Sequence, residues 1–174
     1  MTDLAKRIFD AAYLTGTFKL RSGIISSEYF DKYQFETRPA LLKEIAEGMA
    51  KLLPQGFDLL AGLEMGGIPL ATAISFETGA QMTLVRKKAK EYGTAKVAEG
   101  ADLRGKKVVI IEDVVTSGGQ IILSAGDLRA EGAEILCAIC VIDREQGGAE
   151  KLLEAGIELR PLFTMSELKG AAGK

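Results

Sequence analysis

The sequence predicts an α/β fold with a mostly parallel central sheet flanked by helices. Three observations point there. Short apolar runs recur along the chain with longer amphipathic stretches between them. The runs are apolar nearly throughout rather than alternating, as in strands covered on both faces. Glycines, hydroxyls or acids follow several of the runs, at the sheet edge where such folds bind ligands. The chain's 174 residues suit a single domain. A hydrophobic share of 47% with a net charge of −2 suits a globular protein rather than a disordered one.

Leu4, Ile8 and Ala11 or Ala12 share one face of a helix over residues 3–14. Residues 17–33 are short, polar and aromatic and read as turns and short strands. Pro39 suits the first turn of a second helix. Leu41, Leu42, Ile45, Ala46, Met49, Leu52 and Leu53 carry helical spacing on to Pro54. A strand over 57–62, a Gly66-Gly67 turn, a helix over 68–77 and a strand over 81–85 come next. Residues 86–104 are polar and basic without usable periodicity and read as one long loop. Then come a buried strand (107–111), a loop (116–119), a helix (120–130), a strand (135–142), a helix (149–155) and a last strand (157–162). The two cysteines, Cys137 and Cys140, fall inside a strand on opposite faces, which makes them core filler rather than a redox pair.

Composition excludes more chemistry than it suggests. The chain has no His, so a Ser-His-Asp triad, a Cys-His pair and imidazole-ligated metals are absent. Balanced charge argues against a nucleic-acid-binding face. The N-terminal stretch is charged and amphipathic, unlike a signal peptide, and no apolar run is long enough to span a bilayer. A cytoplasmic location is the expectation.

Val108 to Gly119 read VVIIEDVVTSGG. Four apolar residues are followed by Glu112 and Asp113, then by Thr116, Ser117, Gly118 and Gly119 opening a helix. Hydroxyls and glycines at a helix N-terminus make an anion site, because the first-turn N–H groups point outward and the dipole favours negative charge. Two adjacent carboxylates would repel a bare phosphate, but they suit a ligand that carries hydroxyls as well, as a ribose phosphate does. There is neither a GxGxxG nor a Walker A loop.

This segment resembles the phosphoribosyl pyrophosphate (PRPP) signature of type I phosphoribosyltransferases. The resemblance implies that family's fold, with a small N-terminal hood. It divides the single domain 1–174 into a helix and hood (1–37), an α/β core (38–163) and a mobile catalytic loop (86–104). By the same resemblance Glu112 and Asp113 hold the ribose hydroxyls. Thr116, Ser117, Gly118 and Gly119 cradle the 5′-phosphate, and Val114, Val115 and Gln120 complete that PRPP site. Mg²⁺ is implied as cofactor, held mainly by PRPP oxygens and water near Asp113 with no direct protein ligand.

Further segments resemble the orotate-specific branch of the family. RKKAKEYGTAK resembles its mobile loop, with Arg86, Lys87, Lys90 and Tyr92 as catalytic and PRPP-binding positions. Some relatives carry His where Tyr92 stands. In these enzymes the loop reaches into a neighbour's site, which implies a homodimer with shared active sites. Phe18 to Phe30 resembles the hood over the base. It gives Arg21 to PRPP and orotate, and Tyr29 and Phe30 to orotate. In DREQGG, residues 143–148, Arg144 pairs with the orotate carboxylate, and Thr116 also faces the base. Ala61 to Ala71, AGLEMGGIPLA, resembles the pyrophosphate-side loop. A phosphoribosyltransferase for another nucleobase and a non-catalytic PRPP-sensing regulator remain as alternatives. The first has no need of a carboxylate clamp at Arg144, and the second predicts a damaged basic loop.

Overall fold

The computed structural model describes residues 2–19, 23, 25–87 and 97–174. Helix α1 (Thr2–Ala12) leads into a two-stranded antiparallel hairpin, β1 (Tyr13–Lys19) and β2 (Ile25–Phe30). Phe9 of α1 stacks on Tyr13 and tilts against Phe30, which seats the hairpin on the helix. A one-turn helix α2 (Tyr33–Glu36) and helix α3 (Pro39–Ala50) follow. The rest alternates: β3 (Leu59–Leu63), α4 (Gly67–Thr78), β4 (Gln81–Val85), β5 (Ala98–Gly100), β6 (Lys107–Val115), α5 (Gly119–Ala130), β7 (Glu134–Asp143), α6 (Gly148–Glu154), β8 (Glu158–Thr164) and α7 (Met165–Ala171).

The six-stranded sheet has the order β5-β4-β3-β6-β7-β8. All its neighbours pair parallel except β5, which lies antiparallel on β4. Strand β5 lies inside the segment read as loop. Three residues are too few for a period-2 pattern, and their strand form comes from pairing with β4.

Alternation along the central strands splits the core. Val109, Ile111, Cys137 and Ile139 pack toward α1, α3, α4 and α7. Val108, Ile110, Ala138 and Cys140 pack toward α5 and α6. The cysteines are thus buried, unpaired and on opposite faces, as their spacing predicts. Burial pushes the Cys137 thiol up to about 11, so it is inert at neutral pH.

Helix α7 lies beyond the last element that the apolar pattern predicts. Its first turn is closed by a capping box, in which Thr164 Oγ1 accepts from Glu167 N and Glu167 Oε2 accepts from Thr164 N. No helix among the described residues is long and apolar enough to cross a membrane.

Candidate functional site

The carboxyl ends of β3, β6 and β7 carry the predicted motifs. At the end of β6 a cavity of about 260 Å³ is lined by Glu112, Val114, Val115, Thr116, Ser117, Gly118, Gly119 and Gln120. Gly118 precedes α5 with φ +70°, a conformation that needs glycine. The first-turn N–H groups of α5 lack intrahelical partners and are available to an anion.

A second cleft of about 480 Å³ lies against the hairpin. Tyr29 and Phe30 form one wall, Arg144 and Gln146 another, and Met165 and Lys169 of α7 a third. Tyr29 is exposed and stacks on Phe18, with ring centroids 5.4 Å apart. Thr116 lines both cavities, so the two meet at one residue.

Arg144 is anchored by its backbone, whose N–H donates to Val115 O at 2.9 Å. Its Nε is buried without a hydrogen-bond partner among the described residues. Such a donor is costly unless a ligand supplies the acceptor. The next residue, Glu145, has φ +57°, an unusual value for a side-chain-bearing residue. Two bonds hold it there. Its N–H donates to Asp143 Oδ1 at 2.9 Å, and its Oε2 accepts from Ser166 N at 2.8 Å. Hydrogen bonding from the Ser166 side chain, and then from its backbone N–H, lowers the Glu145 carboxyl below its ordinary range.

The two acids touch each other: Asp113 N donates to Glu112 Oε1 at 2.9 Å, and their side chains are within hydrogen-bond reach. Glu112 faces the loop cavity, on the side of Val108 and Ile110. Burial, with Asp113 next door, raises its carboxyl well above the usual range. The Asp113 side chain is only 1% exposed, and its Oδ2 lies 2.6 Å from Lys32 Nζ. Its Oδ1 accepts from Val114 N. Of the two acids expected to hold the ribose, Glu112 lines the loop cavity and Asp113 is buried against Lys32.

The basic loop is described only at its root. Arg86 donates its N–H to Val97 O, and its Nε lies 3.7 Å from Glu99 Oε1. Arg86 is thus within ion-pair reach of β5 at the root of the loop. Lys87 is exposed. Lys90, Tyr92 and Arg21 lie outside the described residues.

On the β3 side, the Gly66-Gly67 turn opens α4, and the Glu64–Met65 peptide is cis. A Cβ on Gly67 would lie 2.2 Å from the Ile111 carbonyl oxygen, so α4 starts in direct contact with β6. Lys32, Glu36, Met165 and Lys169 are the site neighbours that sequence reasoning missed. The Thr164-Met165-Ser166-Glu167 capping box could have announced α7.

A mostly parallel sheet with a glycine-containing loop and a helix N-terminus after its central strand is the arrangement expected of a phosphoribosyltransferase. In agreement, residues 32–154 match the phosphoribosyl transferase domain model. The orotate phosphoribosyltransferase of Nocardioides sp. is 51% identical over 168 residues, covering 97% of this chain and 94% of the relative. That of Methanocella arvoryzae is 44% identical, with 89% of each chain covered. The crystal structure of Mycobacterium tuberculosis orotate phosphoribosyltransferase superposes with a TM-score of 0.87 at 26% identity, covering 96% of this chain and 97% of that one. The chain belongs to the orotate phosphoribosyltransferase family of phosphoribosyltransferases.

Proposed function

We propose that the chain transfers the 5-phosphoribosyl group of PRPP to orotate, giving orotidine 5′-monophosphate and pyrophosphate in pyrimidine biosynthesis. The observation that carries this reading is the junction at Thr116. A phosphate cradle and a cleft with an unsatisfied arginine meet there, as a ribose joining phosphate to base requires.

In this reading the 5′-phosphate sits on the 116–119 backbone, with Val114, Val115 and Gln120 lining the same cavity. Glu112 accepts from the ribose hydroxyls. Arg144 binds the orotate carboxylate through its planar fork, with Tyr29 and Phe30 covering the ring and Arg21 reaching PRPP or orotate from the hood. A ring nitrogen of orotate forms the new bond to the ribose C1 as the C1–O bond to pyrophosphate breaks. The substrate brings the nucleophile, so the protein needs no His. Its work is alignment, charge stabilisation and exclusion of water.

The donor set at the cavity is a hard carboxylate, Glu112, beside substrate oxygens. It fits Mg²⁺ held mostly by PRPP and water. Among the described residues no group of three acids, cysteines or histidines could hold an ion alone. When bound, Mg²⁺ neutralises charge on the pyrophosphate oxygens. Lys90, with Arg86, Lys87 and Tyr92, closes on the leaving group across the interface of a cytoplasmic homodimer.

Lys90→Ala is expected to lower kcat by about 10²-fold or more, as loss of a transition-state charge contact does, with PRPP binding in the open state changed less than about threefold. Equal losses in both would remove the transition-state role. Mixing Lys90→Ala with Arg144→Ala protein should restore part of the activity if sites are shared, and none if each chain works alone. Incubating the protein with PRPP and Mg²⁺ while following orotate, uracil, hypoxanthine and adenine tests the assignment as a whole. Only orotate should be consumed. Consumption of another base, or PRPP binding without any turnover, would overturn the assignment.

A further inference from the structure

Beside the loop at 116–119 lies a buried group of charges centred on Asp113. Helix α2 is one turn long, and Lys32 and Glu36, four residues apart, reach the same place from its two ends. Both meet Asp113 on the hidden face of β6. Lys32 Nζ lies 2.6 Å from Asp113 Oδ2, and Glu36 is only 5% exposed. The third wall is the Gly66 turn. A Cβ there would lie 1.6 Å from Asp113 Oδ2 and 2.9 Å from Glu36 Oε1. Phe35, fully buried between the two charged residues of α2, pins the turn in place.

We propose that Lys32 and Glu36 are positioning residues acting through Asp113, fastening the foot of the hairpin and the Gly66 turn to the end of the ribose strand. The consequence for the site is orientation. Asp113 N donates to Glu112 Oε1 at 2.9 Å, so holding Asp113 in place also holds the neighbouring carboxyl where it lines the loop cavity. The inference rests on the reading of residues 112–119 as the phosphoribosyl site.

The charge balance requires one more feature. Three carboxyls, Glu36, Asp113 and Glu112, face a single ammonium, and touching carboxylates cannot all ionise cheaply. Glu36 keeps its proton, so its carboxyl can donate to Asp113. Burial first, and Asp113 second, push Glu36 up to about 8. The charged groups facing it are Asp113 from β6 and Lys32 and Asp31 from its own segment, with Glu112 the next carboxylate beyond. A carboxyl raised in the folded state binds its proton more tightly there than in the unfolded chain. Its contribution to stability is therefore greatest below the ordinary carboxylate range and falls as pH rises toward about 8. Glutamine mimics the protonated form and does not titrate.

The test compares the parent with Glu36→Gln, Glu36→Ala and Lys32→Met. PRPP binding is measured by calorimetry with Mg²⁺, orotate turnover by steady-state kinetics, and Tm from pH 5 to 9. Glu36→Gln should keep PRPP affinity within about twofold and show a smaller fall in Tm between pH 5 and 8 than the parent, the remainder coming from Glu112. Glu36→Ala and Lys32→Met should weaken PRPP binding by about tenfold or more, with a smaller change in kcat. The proposal is overturned if Glu36→Gln loses affinity as Glu36→Ala does, if neither disruptive variant changes PRPP affinity, or if the parent and Glu36→Gln show the same Tm profile. If Glu36→Ala fails to fold, Lys32→Met and Glu36→Gln still decide. A parent that binds PRPP yet leaves orotate untouched removes the base assignment and leaves this inference standing. A parent that does not bind PRPP removes the phosphoribosyl reading, and the Tm profiles then judge the cluster alone.

Discussion

Arg144→Ala is expected to raise the KM for orotate by about 100-fold while leaving the KM for PRPP within about twofold. The guanidinium stands in the base cleft with a buried Nε that no described residue satisfies. Its backbone is tied to Val115, and Glu145 beside it is held by Asp143 and Ser166, so the side chain is aimed before any ligand arrives. A bidentate charge-assisted contact to a carboxylate contributes about 3 kcal/mol, which corresponds to roughly 100-fold in affinity. PRPP binding is spared because residues 116–119 keep their own backbone geometry. Arg144→Lys should recover only part of the loss, since an ammonium cannot present a planar fork. Steady-state kinetics with each substrate varied in turn would settle it. An orotate KM that does not move would sink the carboxylate-clamp assignment.

Gly67→Ala is expected to destabilise the protein by more than about 4 kcal/mol, lowering Tm by about 10 °C or preventing folding. The new methyl carbon would lie 2.2 Å from the Ile111 carbonyl oxygen and 3.1 Å from its carbon. Both are backbone atoms of the central strand, and they can yield only if α4 lifts off β6. Gly126→Ala is the control. That glycine lies inside α5, and a methyl carbon added there would meet nothing within 4 Å, so alanine should raise stability by about 0.5–1 kcal/mol. Thermal melts of the two variants should move in opposite directions. A Gly67→Ala protein melting with the parent would mean that α4 does not press on β6 as the structure has it.

The legible parts of the fold are those where one local signal suffices. Helix α3 begins at Pro39, as the first-turn proline implies, although it ends at Ala50 rather than near Pro54. Strand β4 matches its expected bounds, Gln81–Val85, and β6 and β7 each run at least as far as their apolar runs. The disagreements have physical causes. Residues 13 and 14, expected at the end of α1, belong to β1, because the hairpin with β2 satisfies their backbone from outside the helix. Strand β6 continues through Glu112 and Asp113 to Val115, since pairing with β7 carries strand geometry into residues whose polarity suggests a loop. Helix α7 lies in a stretch of low apolar content, and its capping box and packing on α1 stabilise it there.

Contiguous residues are enough to specify the alternating α/β architecture, the glycine-containing loop at 116–119, the arginine of DREQGG and, through motif order, the family. None of these needs a partner from elsewhere in the chain to be recognised. Where the two acids end up is a matter of long-range packing instead. That Glu112 lines the cavity and Asp113 is buried against Lys32 depends on helices packed from distant parts of the chain. For the same reason Lys32 and Glu36 carry no signal of their own in the sequence. Their role exists only once folding has placed Asp113 and the Gly66 turn against them. The base cleft is also tertiary, since its walls come from α1, the hairpin, the β7–α6 turn and α7, which lie far apart in sequence and converge only because the sheet orders them.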